Sequence, residues 1–203
     1  MDKNLWATSN DVNSQDSYGY YYQWWNNYGF PRNWDINISS TQVDASGYWP
    51  NNPYLSNIFI IGSKWDSSEN RNLWWWNSTS ILDKQWPCPV WYHVPSMDEW
   101  QWIYETFCNI NGFAIVGLNN IAWRIEQFSK TLKLPFAGID NHRVSPHSID
   151  LRGSWMFYWS SDTYDGHNDI WLNVESPNGE RDGLQTWNRW KMTDWLPVRC
   201  FKD

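Results

Sequence analysis

Hydrophobic positions along this chain recur in two registers. From Met97 to Cys108, Trp100, Ile103, Tyr104 and Phe107 return at steps of three and four, the spacing of one face of an α-helix. Pro95-Ser96 leads into this run, with Ser96 placed as N-cap, Glu99 three residues on to close a capping box, and Asn111-Gly112 as the stop. A second helix is predicted from a cap at Asn119 or Asn120 to about Lys130, with Ile121, Ile125 and Phe128 on one face. Elsewhere, short aromatic or β-branched segments alternate with Asn, Ser, Gly and Pro, which predicts short strands and long loops. Residues 7–57 show this strongly, through Asn26-Asn27, Pro31, Ser39-Ser40, Gly47 and Pro50-Asn51-Asn52-Pro53. After residue 132 the predicted strands are Trp155 to Ser160, Ile170 to Val174 and Leu196 to Phe201. With no fixed-period repeat and no dividing linker, the pattern predicts one α+β domain over 1–203, two helices with a loop-rich periphery.

Composition narrows the function classes. The chain has 203 residues, of which 19% are aromatic and 18% charged, too much ring mass and too little charge for a disordered chain. Rings at this density fill a core or form a recognition surface. A net charge of −7 without a dense Lys/Arg run argues against duplex nucleic acid as a partner. The longest apolar run, Ile58-Phe59-Ile60-Ile61, is far too short to span a bilayer, and Met1 to Trp6 lacks the basic start and apolar stretch of a signal peptide. A soluble chain without membrane insertion is expected. Cys88, Cys108 and Cys200 form no CxxC or other metal-ligand spacing; one disulfide with one free thiol, or three thiols, both remain open.

Local motifs offer no catalytic chemistry. His93, His142, His147 and His167 fall in separate loops and read as ordinary polar or hydrogen-bonded histidines. There is no GxSxG, HExxH, Walker-type loop or dinucleotide fingerprint. Asp98-Glu99 sits in a helix first turn, where the macrodipole alone accounts for it. The runs Tyr20-Tyr21-Tyr22-Gln23-Trp24-Trp25 and Trp74-Trp75-Trp76 are candidate stacking platforms, but alternation in a strand would bury half of each. Asn37-Ile38-Ser39 and Asn77-Ser78-Thr79 match a glycosylation sequon, common by chance in an Asn-rich chain. No catalytic residue is predicted.

A family resemblance rests on ordered segments. Pro87-Cys88-Pro89-Val90-Trp91-Tyr92-His93-Val94-Pro95-Ser96 followed by Asp98-Glu99-Trp100 resembles the PCPxGWHVPSxxEW run of the Fibrobacter succinogenes major paralogous domain. Similar stretches precede it at Asp2-Lys3-Asn4-Leu5 with Ala7-Thr8 and at Tyr21-Tyr22-Gln23-Trp24. They follow it at Leu134-Pro135-Phe136-Ala137-Gly138, Tyr158-Trp159-Ser160-Ser161 and Val198-Arg199-Cys200-Phe201-Lys202-Asp203. The resemblance spans nearly the whole chain. Two departures are local: Trp25 stands where the family usually has Gly, and Val90-Trp91-Tyr92 alters its Gly-Trp pair.

The resemblance implies the C-type lectin fold in the branch shared with formylglycine-generating enzymes: two helices packed on small twisted antiparallel sheets with long loops. That branch includes the variable proteins of diversity-generating retroelements, phage tropism determinants among them, whose C-terminal stretch varies on a fixed framework. Here that stretch corresponds to about 153–203, bracketed by Tyr158-Trp159-Ser160-Ser161 and Val198-Arg199-Cys200. The implied function is non-catalytic binding of a protein or cell-surface ligand, a glycan among the candidates, at a virion or cell surface. A fixed carbohydrate- or surface-binding module is the alternative. Formylglycine-type oxidation is disfavoured, because residues 109–203 hold only Cys200 where those enzymes carry a redox pair. The contact residues expected are Trp155, Phe157, Asp162, Tyr164, Asp165, His167, Asp169, Asn178, Arg181, Asp182, Thr186, Asn188 and Trp190. Glu175-Ser176-Pro177-Asn178 and Trp187-Asn188-Arg189 are similar to lectin sugar motifs, but the first is interrupted and the second lacks its carboxylate, so a calcium-dependent sugar site is not expected. No cofactor is expected; a structural calcium would have Asp162, Asp165 and Asp169 as its ligands. The resemblance also pairs Cys88 with Cys200, with Cys108–Cys200 as the rival pairing.

Overall fold

The structure, a computed structural model, describes residues 1–23, 29–31, 42–44, 59–61, 87–113, 121–139, 152–164, 168–174 and 194–203. Helix α1 (Met97–Ile110) begins at its capping box: the Glu99 N–H donates to Ser96 Oγ at 3.2 Å and the Ser96 N–H donates to the Glu99 carboxylate at 2.7 Å. It stops at Asn111 and Gly112, whose φ of 67° is the left-handed conformation that glycine takes without steric cost. Helix α2 (Ile121–Leu132) ends at Lys133, which adopts φ 54° in the same region. Both helices match the sequence periodicity. Trp100, Tyr104, Phe107 and Cys108 of α1 pack with Ile125 and Phe128 of α2 in one core cluster.

The strands are β1 (Tyr20–Gln23), β2 (Phe30–Pro31), β3 (Gln42–Asp44), β4 (Phe59–Ile61), β5 (Tyr92–His93), β6 (Met156–Tyr164), β7 (Asn168–Val174), β8 (Trp195–Pro197) and β9 (Phe201–Lys202). A three-stranded antiparallel sheet runs in the order β2-β1-β8, and β5 with β9 and β6 with β7 form antiparallel pairs. The mixed α+β class and its small sheets are therefore present. One departure from the all-antiparallel expectation is the β3–β4 pair, which is parallel, with Val43 opposite Ile60.

A second departure concerns Leu196 to Phe201, expected as one strand. Pro197 has no N–H to continue a ladder, and the chain leaves β1 there, passes through Val198, Arg199 and Cys200, and pairs anew as β9. The aromatic run at β1 also breaks simple alternation. Tyr21, Tyr22 and Gln23 are all buried, because the strand is central in its sheet and its Tyr21 hydroxyl donates to the Ala137 carbonyl at 2.6 Å. The Trp74-Trp75-Trp76 run and the two sequons lie outside the described residues.

Strand β6 divides the interior. Met156 and Tyr158 face the helical cluster, whereas Phe157 and Trp159 face a second cluster with Leu5, Tyr22, Val94, Leu196 and Val198. A strand buried on both faces reads as a continuous apolar run rather than an alternation. Tyr158-Trp159 is fixed further by polar contacts: Trp159 Nε1–H donates to the Tyr22 carbonyl at 2.7 Å, and the Tyr158 hydroxyl donates to Pro135 O at 3.1 Å.

The two ends of the sequence are stitched together. The Leu5 N–H donates to Val198 O at 3.0 Å, and Cys88 and Cys200 form a disulfide with Cα atoms 5.7 Å apart, leaving Cys108 as a buried free thiol. Gly19 permits this closure, since a Cβ there would meet Leu5 O at 2.4 Å and its φ is +72°. Buried Asn4 is a hub: its amide donates to Tyr18 O and Tyr158 Oη, both at 3.1 Å, and its carbonyl accepts from Arg199 Nε at 3.1 Å. Arg199 also donates to the carbonyls of Met1, Leu132 and Lys133. A guanidinium on the last carbonyls of α2 satisfies orphan acceptors and complements the negative end of the helix dipole.

Candidate binding surface

Candidate contact residues begin on the β6–β7 hairpin. Trp155, half-buried before β6, stacks on Phe157 with ring centroids 5.6 Å apart. Phe157 itself is 1% exposed and belongs to the core, so its ring is closed to an external ligand. This corrects its expected role: with both faces of β6 covered, its alternate residues have no outward side until the strand passes Ser161.

Asp162 is committed elsewhere as well. The Met97 N–H donates to its carboxylate at 2.5 Å, placing an anion on the first turn of α1, where free N–H groups and the helix dipole favour it. The neighbouring Ser161 N–H donates to Pro95 O at 2.9 Å. Thus the outer half of β6 is riveted to the start of α1, and Asp162 serves as a capping anion. Beyond a register irregularity between Trp159 and Thr163, the ladder resumes with Thr163 opposite Asp169 and Tyr164 opposite Asn168. Tyr164 and Asp169 therefore stand on neighbouring rungs at the outer end of the hairpin. Asp165, His167, Asn178, Arg181, Asp182, Thr186, Asn188 and Trp190 lie outside the described residues. Among the described residues no group of three or more His, Cys, Asp or Glu side chains is gathered to hold a metal ion. Of the three expected calcium ligands, Asp162 is held by α1 and Asp165 is outside the described residues.

The α1 end of the rivet holds a cluster whose arrangement is not visible in the sequence. His93 Nε2 lies 2.7 Å from Glu99 Oε1 and His93 Nδ1 lies 2.7 Å from Asp203 Oδ1. An imidazole bonded to carboxylates through both nitrogens is a double donor, hence an imidazolium. Burial alone would lower the His93 pKa, but the hydrogen bonds and charges of the two carboxylates outweigh it and raise the value. Burial would likewise raise Glu99, yet His93 and the Ser96 donors bring it down to about 2. Neither ring nitrogen is open to a substrate, so the cluster joins β5, α1 and the segment after β9. The sequence signals were separate ones, a loop histidine and a capping-box glutamate; the fold alone brings Asp203 to them.

Several large side chains are exposed among the described residues. Trp91, 69% exposed, holds φ 70°, a glycine-type conformation that costs a side-chain-bearing residue about 1–2 kcal/mol. Trp102 on α1 is 67% exposed. Beside it, a groove of about 380 Å³ is lined by residues of both helices and of β9. Among the described residues, no helix is long and apolar enough to cross a membrane. No family model, no curated protein and no solved structure matches this chain.

Proposed function

We propose that this protein is a non-catalytic ligand-binding module of the C-type lectin type, a variable protein of a diversity-generating retroelement. In this role the segment from about residue 153 to 203 presents exchangeable side chains to a protein or glycan on a cell or virion surface. The observation that carries the reading is the way the framework-like parts of that segment are held. These parts, Tyr158 to Ser161 and Val198 to Cys200, are buried; Tyr158 and Arg199 are hydrogen-bonded to Asn4 near the start of the chain, and Cys200 is bridged to Cys88 before α1. The stretch between them carries most of the expected contact residues. A scaffold closed in this way tolerates side-chain exchange in the intervening segment without refolding the backbone.

Two members leave the contact set, Phe157 for the core and Asp162 for the α1 cap. The set that remains is Trp155, Tyr164, Asp165, His167, Asp169, Asn178, Arg181, Asp182, Thr186, Asn188 and Trp190. Tyr and Trp offer large contact area at small entropic cost, and Asn and Asp supply adaptable hydrogen bonds. The test is genetic. A near-copy of the 3′ end beside the gene, differing from it only opposite adenines and accompanied by a reverse transcriptase gene, is the expected finding. Absence of both features returns the protein to a fixed carbohydrate- or surface-binding module.

A further inference from the structure

The groove between α1, the C-terminal end of α2 and β9 has a composition that the hairpin surface does not explain. Ile103, Leu132 and Phe201 are only partly buried at the edge of the helical core cluster, and the same three side chains line the groove with Leu134 and the exposed ring of Trp102. The protein itself leaves this apolar wall incompletely covered. At about 380 Å³ the groove lies at the small end of ligand pockets, roughly 300–1,000 Å³.

Its charge is one-sided. Arg199 and Lys202 line it, and among the described residues neither has a carboxylate within ion-pair distance. Arg199 is buried, and it donates to the carbonyl oxygens of Asn4, Met1, Leu132 and Lys133, with the Tyr158 hydroxyl also beside it. The end of α2 supplies the equivalent of about half a negative charge and Asp2 acts from beyond ion-pair distance, so the guanidinium is only partly compensated. Lys202 is exposed at the rim. The one anion in the lining, Glu99, has one oxygen on His93 and the other on Ser96, so it is occupied within the protein.

We propose that this groove is a second binding site, for a small amphipathic anion: a carboxylate with an aromatic or aliphatic body. The body lies against Trp102, Ile103, Leu132 and Phe201, and the carboxylate pairs with Lys202 in the positive field of Arg199. An apolar wall with a few convergent polar groups is the usual make-up of a small-molecule site, and the charge complement selects an acid over its neutral isostere. The inference does not depend on the lectin-type reading, because none of these residues belongs to the proposed variable contact set.

The test is calorimetric titration of the full chain with 4-phenylbutanoate and with its neutral counterpart 4-phenylbutan-1-ol. The acid should bind about tenfold more tightly than the alcohol, the size of effect a charge-assisted contact gives. Lys202→Glu should remove that preference by weakening binding of the acid, and Leu132→Trp, which fills the groove, should abolish binding of both. Lys202 is exposed, so its variant remains informative even if Leu132→Trp fails to fold. No binding of the acid, equal affinity for acid and alcohol, or an acid preference that survives Lys202→Glu overturns the proposal.

Discussion

Replacing His93 by glutamine removes the one cation that holds Glu99 and Asp203 together. The His93 side chain is 4% exposed, Asp203 20% and Glu99 40%. A hydrogen bond to a charged group contributes about 1.5–3 kcal/mol, and the more exposed Glu99 contact is discounted for solvent screening. Glutamine retains a neutral donor, so the expected loss is about 2–4 kcal/mol at mildly acidic pH. For a chain of this length that lowers Tm by about 4–16 °C.

The pH dependence has a definite sign. The folded-state pKa of His93 is raised above its ordinary value, so its contribution is complete below about pH 6.5 and fades as pH rises through the folded value. Glu99 has the opposite sense: its folded value, about 2, lies below the ordinary 4.5, so its contribution is present above the ordinary value and is lost as pH falls through the folded one. The cluster stabilises most between these limits. Melting curves of the parent and His93→Gln at about pH 5.5, 7 and 8.5 should show a difference in Tm that narrows as pH rises. A difference that stays constant or widens over that range refutes the imidazolium assignment.

Other perturbations test other joints of the fold. The Cys88–Cys200 bridge closes a sequence separation of 112, so Cys88→Ala should cost about 4–5 kcal/mol by loop-closure entropy, read as a lowered denaturant midpoint that added reductant does not lower further. Asp162→Ala should destabilise by about 1–2 kcal/mol in thermal melts through loss of the α1 anion, whereas substitution of an uncommitted surface residue should not. Trp159→Ala should cost about 3–5 kcal/mol, because its ring is fully buried and its N–H bonds the Tyr22 carbonyl.

What could be seen in the sequence was local. The capping box at Ser96 and Glu99, the three- and four-residue recurrence of Trp100, Ile103, Tyr104 and Phe107, and the Asn111-Gly112 stop are all short-range signals, and α1 follows them closely. The strand stop at Pro197 is also a local signal, but its effect depends on which partner strand lies beside it, so Leu196 to Phe201 was legible as extended chain and not as two strands. The role of Asp162 depends on a segment 65 residues away in sequence, and that of Asn4 on partners up to 195 residues away. No spacing rule reaches across such separations. Phe157 shows the same limit: an aromatic beside a predicted contact surface looks like a contact until the cluster on its far side is known. Of the candidate surface, the inner part of the hairpin was legible as the strands Trp155 to Ser160 and Ile170 to Val174, while its extension through Tyr164 and Asp169 and its attachment to α1 were not.

On our proposal, one part of the C-terminal segment is framework and another is free to change. The most direct test is the Tm of single substitutions at Tyr164, His167, Asn178, Arg181 and Asn188, set beside Trp100→Ala, whose ring is fully buried. Exposed positions should shift stability by less than about 0.5 kcal/mol, so these five should melt within about 2 °C of the parent while Trp100→Ala loses about 3–5 kcal/mol. If the five melt as early as Trp100→Ala, they are core residues, and a freely exchangeable surface is not where we place it.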